Sequence, residues 1–135
     1  MADPPTVVAV INTNPDLVRL LRMNIERAGF VVFVIHIEDI KLGSADVDSL
    51  LRQHDPRVVV YDVAPPYDMN WRFLDHLRTS TGFTGRHFVL TSVNAERLQE
   101  IVGAEESVYE VVGLDEDIGQ VVRAVKEASR ARPTR

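Results

Sequence analysis

Arg57-Val58-Val59-Val60-Tyr61-Asp62 runs through three valines and a tyrosine to end on a carboxylate. A strand that is apolar on successive residues is covered on both faces, the condition of a parallel sheet flanked by helices. Such a strand delivers its last residue to the carboxyl edge, where open parallel sheets form their binding crevice. Working outward, the first apolar run, Val7 to Ile11, gives way to Asn12-Thr13-Asn14, with no carboxylate among them. One aspartate therefore faces neutral amides and a hydroxyl, an arrangement suited to weak rather than strong metal or phosphoryl chemistry.

The remaining chain repeats this pattern of an apolar run followed by helical periodicity about every 25 residues, the signature of strand–helix units and a parallel sheet. The first strand is expected over Thr6 to Ile11. Asn14 then suits an N-cap, Pro15 the first helical position and Asp16 the positive end of the helix dipole. Leu17, Leu20, Leu21, Ile25 and Ala28 recur at spacings of three and four, which predicts one face against the sheet, with Gly29 as the stop. Phe30 to Ile35 reads as the second strand. Gly43-Ser44 opens a short helix through about Gln53 whose apolar positions are Val47, Leu50 and Leu51.

Arg57 to Asp62 is the third strand, and Ala64-Pro65-Pro66-Tyr67-Asp68 is expected to be a stiff loop, because two prolines remove donors and fix their backbone angles. Trp71, Leu74, Leu77 and Arg78 mark a helix that ends before the turn Thr81-Gly82-Phe83-Thr84-Gly85. Arg86 to Thr91 is the fourth strand. Asn94 caps a helix with Glu96 in its first turn and Leu98, Ile101 and Val102 on its apolar side. Ser107 to Val112 is the fifth strand, and Asp115, Glu116 and Asp117 load negative charge onto a last helix with Ile118, Val121, Val122 and Val125 as its buried stripe. Right-handed crossovers allow an α/β, doubly wound, five-stranded parallel sheet of order 2-1-3-4-5, in which Asn12, Thr13 and Asp62 converge at the switch point, flanked by Thr91 and by Val112-Gly113. A single domain is expected over 1–135, with its core at 6–130 and a flexible tail at 131–135.

Composition narrows the function classes. Twenty acidic against fifteen basic side chains give a net charge of −5, which disfavours nucleic acid as a partner. With no cysteine there is no thiolate metal site, thiol nucleophile or disulfide framework. The N-terminus lacks a signal-peptide pattern, and no apolar run approaches the roughly 18 to 20 residues of a membrane helix, so a cytoplasmic protein is expected. No glycine-rich dinucleotide or phosphate loop follows a strand, no Gly-x-Ser-x-Gly elbow is present, and no DNA-binding element is appended. His36, His54, His76 and His87 lie on separate elements without metal-ligand spacing and read as structural or exposed. His36-Ile37-Glu38 matches the start of a zinc-deaminase signature, but the cysteine ligands are missing.

Over residues 6 to about 130 the chain resembles the receiver (CheY-like) domain of two-component response regulators. Val7 to Leu17 stands where that family has an apolar strand, an acidic pair and a Pro-Asp-Leu helix start. Arg57 to Asp62 is similar to its third strand with the phosphoacceptor aspartate last, and Val89-Leu90-Thr91-Ser92 to its fourth strand with the switch hydroxyl. Tyr109 falls where a mobile aromatic is common. The resemblance thus implies Asp62 as phosphoacceptor and Thr91 as switch hydroxyl. It also implies that Asn12 and Thr13 replace the acidic pair that holds Mg²⁺, leaving Asp62 as a weak Mg²⁺ candidate with no other cofactor, and that Val112-Gly113 replaces the lysine and its following proline.

Each candidate also has a plain structural role to weigh. Asp62 can simply cap the next loop, Thr91 can bond locally at a strand end, and Asn12 and Thr13 can shape the turn into the first helix. Tyr67 and Trp71 either meet a partner or pack at the base of the third helix, and burial is the reading favoured for Trp71. The expected function is a non-enzymatic, stand-alone receiver-like signalling module that binds other signalling proteins, with phosphorylation absent or inefficient. The alternative is a phosphorelay receiver in which a histidine kinase phosphorylates Asp62. Resemblance further suggests the surface of the fourth helix, fifth strand and fifth helix for partner contact or homodimerisation, near Leu98, Ile101, Tyr109 and Val122. A flavodoxin-like enzyme has no cofactor motif to support it.

Overall fold

In a computed structural model the chain forms a five-stranded, all-parallel sheet of order β2-β1-β3-β4-β5 with helices on both faces. Residues 5–12, 14–43, 46–79, 81–105, 107–114 and 118–132 are described. The elements are β1 (Val7–Asn12), α1 (Pro15–Arg27), β2 (Val31–His36), α2 (Ile37–Lys41), α3 (Val47–His54), β3 (Val58–Asp62), α4 (Tyr67–Leu77), β4 (His87–Ser92), α5 (Ala95–Val102), β5 (Val108–Gly113) and α6 (Ile118–Arg130), with a 3₁₀ turn at Thr81–Phe83.

Strand alternation sorts the core into two layers. Val8 and Val10 of β1, Val58 and Val60 of β3, and Val89 of β4 point to the face covered by α1 and α6, meeting Val18, Leu21, Ile25, Val121 and Val125. The intervening residues, Ala9, Ile11, Val59, Tyr61, Phe88 and Leu90, face Ile37, Leu51, Leu74 and Leu98 of the other four helices. Side chains one apart leave a strand on opposite faces, so an unbroken apolar run is what two covered faces require.

The capping expected for α1 is present: Asn14 Oδ1 accepts from the backbone N–H of Asp16 at 3.0 Å and of Leu17 at 3.2 Å, with Pro15 leading the helix. Gly29 follows with φ of +100°, a conformation that costs little without a Cβ. Leu20, expected on the buried face, is instead 43% exposed. The buried stripe is Val18, Leu21 and Ile25, a phase in which Leu20 falls at its margin.

Three helices differ from the sequence expectation. The short helix expected from Gly43-Ser44 begins at Val47, capped by Asp46 Oδ1 on the Ser49 N–H at 3.1 Å, while Ser44 lies outside the described residues. An additional five-residue helix, α2, follows β2 directly. The Pro65–Pro66 pair, whose bond is cis, ends one residue before α4, which starts at Tyr67 rather than near Trp71. Proline preceding a helix removes no bond that the helix needs, so the loop is shorter than two prolines suggest. Asp115, Glu116, Asp117 and the tail residues 133–135 lie outside the described residues. Residues 131 and 132 make contacts at the amino edge of the sheet: Arg57 Nη2 donates to the Ala131 carbonyl at 2.6 Å, and His87 Nε2 lies 2.5 Å from the Arg132 carbonyl.

Candidate functional site

Register brings the site together. Thr91 stands opposite Asp62 in the β3–β4 ladder, and Val112 opposite Thr91 in the β4–β5 ladder. Ile11 pairs with Tyr61, which puts Asn12 one step further, beside Asp62 at the carboxyl edge. The Thr91 hydroxyl donates to Asp62 Oδ1 at 2.8 Å. Thr91 is fully buried and Asp62 partly so. Burial pushes the Asp62 carboxyl above its ordinary value, and the hydrogen bond from Thr91 pulls the other way.

Asn12 is also buried, at 1% exposure, and its Oδ1 accepts from the Asn14 N–H at 2.9 Å. It shapes the turn into α1, the structural role weighed for it. Thr13 lies outside the described residues. At the end of β5, Val112 is buried and Gly113 pairs with Ser92, so an apolar side chain and a glycine stand where the resemblance places an ammonium.

A cavity of about 160 Å³ opens beside Asp62, lined by Ile37, Glu38, Lys41, Tyr61, Ala64 and Asn70. Asn70 Nδ2 donates to the Ala64 carbonyl at 2.6 Å, which closes the loop after β3. The Lys41 ammonium lies 5.4 Å from the centre of the Phe73 ring, held on an aromatic face. Asp62 is therefore not the lone charge of its crevice. Glu38 and Lys41 escaped the sequence reading because α2 is too short to show helical periodicity, and Asn70 because its place depends on α4 starting at Tyr67 and on its bond to the Ala64 carbonyl. The available signal was Glu38-Asp39 followed by Lys41, acid at the start and base at the end of one turn.

The donor set fits a divalent ion poorly. Two carboxylates line the cavity, but the Asn12 oxygen is engaged by the Asn14 N–H, the Ala64 carbonyl is engaged by Asn70, and an ammonium stands in the same space. Mg²⁺ demands near-octahedral geometry and binds through one or two carboxylates while keeping several waters, and here Lys41 lines the space where those waters and the ion would sit. Among the described residues no group of three or more histidine or acidic side chains is placed to hold a metal.

The other candidates are placed individually. Trp71 is half-buried, with the Arg78 guanidinium 5.1 Å from its ring centre. Of the residues suggested for partner contact, Leu98 is wholly buried in the core, so it cannot serve, whereas Tyr109 is exposed and donates to Glu127 Oε2 at 3.3 Å. His36, His54 and His76 are exposed, and His54 stacks on Phe33. His87 is buried at the amino edge.

No protein-family model and no curated protein sequence matches the chain. Solved structures do. A signal receiver domain of a two-component histidine kinase from Clostridium thermocellum superposes with a TM-score of 0.74 at 11% identity, covering 93% of this chain and 98% of that one. A response regulator from Thermotoga maritima gives 0.72 at 12% identity, covering 95% and 100%. A CheY-like response regulator receiver domain from Methylobacillus flagellatus gives 0.67 at 13% identity, covering 93% and 99%. The chain has the fold of response-regulator receiver domains, and its carboxyl edge carries an aspartate–threonine pair at the switch point of that fold.

Proposed function

We propose that the chain is a receiver-like signalling module that works by binding other signalling proteins, with phosphorylation of Asp62 absent or slow. One observation carries this reading: Asn12, the side chain next to Asp62 on the neighbouring strand, is a buried amide whose oxygen is engaged by the Asn14 N–H. Phosphoryl transfer needs charge neutralisation on the equatorial oxygens, normally from a metal and an ammonium working together. Around Asp62 a metal meets the Lys41 ammonium and neutral oxygens already engaged, and β5 ends in Val112-Gly113. The test is to incubate the protein with Mg²⁺ and acetyl phosphate and follow its mass. Little or no increase is expected, and a stoichiometric increase that vanishes in Asp62→Ala would overturn the proposal.

A second reading, that Asp62 accepts a phosphoryl group from a histidine kinase, has its own support. The Thr91 hydroxyl already bonds Asp62, and Lys41 puts an ammonium in the adjoining cavity. On that reading Lys41 contributes the positive charge that the end of β5 lacks. Lys41→Met would then abolish whatever slow labelling the wild-type protein shows.

A further inference from the structure

The three most exposed large apolar side chains of the described residues are Leu42 at 79%, Met69 at 65% and Val93 at 63%. They come from three different elements and share one edge of the molecule. Leu42 follows α2, Met69 sits in the first turn of α4, and Val93 follows β4, all at the carboxyl ends of parallel strands. Two of them adjoin residues lining the Asp62 cavity, Leu42 next to Lys41 and Met69 next to Asn70. With strands about 4.8 Å apart, the three steps from β2 to β4 cover roughly 14 Å, within the reach of one short peptide segment. Isolated apolar side chains are ordinary on a surface, but their concentration at one edge marks a contact site.

Charge at this edge favours one kind of occupant. Every long helix that returns from the carboxyl edge starts there, and the first turns carry Asp16 on α1, Asp68 on α4 and Glu96 on α5, joined by Glu38 and Asp39 on α2. The basic last turns, with Arg27, His76 and Arg130, lie at the opposite edge. Lys41, which lines the cavity with Glu38 and Asp62, and Arg97 in the first turn of α5 offset part of this charge, and the acids still outnumber the bases around the apolar trio.

We infer that the carboxyl edge is the docking surface for a basic amphipathic segment of a partner protein. Its apolar side chains would cover Leu42, Met69 and Val93, and its lysines or arginines would meet the carboxylates around them, Asp39, Asp68 and Glu96, rather than enter the cavity that the Lys41 ammonium shares. This rests on the reading of the chain as a binding module and adds the partner's chemistry. The two fail separately: labelling by acetyl phosphate counts against that reading, whereas the titration below, which contains no phosphodonor, bears on the docking surface alone.

The probe is a synthetic helical peptide of about 14 residues, with leucine at i, i+3, i+4 and i+7 and lysine at the remaining positions. It is titrated into the ¹⁵N-labelled full chain, alongside a copy with glutamate for lysine. The expected result is amide shifts confined to residues 38–42, 62–70 and 92–94 with the basic peptide only. Affinity should fall roughly tenfold in Leu42→Ser combined with Met69→Ser and again in Asp68→Lys, and should be unchanged in Leu20→Ser, an exposed leucine on α1. Retained dispersion in the variants' spectra shows that they fold. Shifts elsewhere, an equal response to the acidic peptide, or indifference to the Leu42 and Met69 changes would overturn the inference. So would sedimentation showing that a second copy of this chain covers the edge and that Leu42→Ser releases it.

Discussion

Asp62 carries a cost that the fold sustains. Its carboxyl is raised above the ordinary value by burial, which outweighs the Thr91 hydrogen bond. Between the usual carboxylate range near pH 4 and the raised folded value, the native state binds more protons than the unfolded chain, so stability falls as pH rises through that window. Asp62→Asn keeps the acceptor for Thr91 and removes the charge. Its Tm should therefore exceed the wild-type value by about 2 to 4 °C at neutral pH, and the two melting curves should converge below about pH 4. A Tm unchanged or lowered at neutral pH would mean that the carboxylate is not held in a desolvated place. At this scale Asp62 and Thr91 were legible in the sequence, because each ends an apolar run. Glu38, Lys41 and Asn70 were not, since their arrival at the cavity depends on a one-turn helix and on a loop closed by a side-chain bond.

Arg86 shows how one side chain fixes a whole element. It is buried, and its guanidinium donates to the carbonyls of Leu51 at 3.0 Å, Pro56 at 2.7 Å and Gly82 at 2.5 Å and to Asp55 Oδ1 at 2.8 Å. These bonds join the end of α3, the entry to β3 and the turn before β4. Asp55 is mostly exposed, so the carbonyls rather than the ion pair hold most of the energy. Arg86→Ala would leave three carbonyls without this donor and should lower unfolding free energy by about 3 kcal/mol in urea titration. Arg86→Lys, with a single ammonium in place of the fork, should recover only part of it. Sequence showed Arg86 only as the residue opening a strand, because its partners lie four to 35 positions away. Helix α1, by contrast, was legible from Asn14 to Gly29, since its cap, its first-turn proline and its stop are all local.

For the molecule as a whole, strand order followed from the spacing of apolar runs and the handedness of crossovers, and the two core layers followed from alternation within those runs. The pattern of exposed apolar side chains did not. Exposure of Leu42, Met69 and Val93, and burial of Leu98, depend on how loops and helices settle against one another. One last consequence comes from the single tryptophan of the chain. Trp71 lies on the helix that leaves the Asp62 loop, and the guanidinium over its indole belongs to Arg78, which is also joined to Asp75, to Glu105 at 3.2 Å and to the Ser107 hydroxyl. Indole emission responds to the charge against its face. A displacement of α4 relative to the approach to β5 would therefore change the colour or brightness of the protein's own light, an optical gauge that needs no label and that Arg78→Gln should silence.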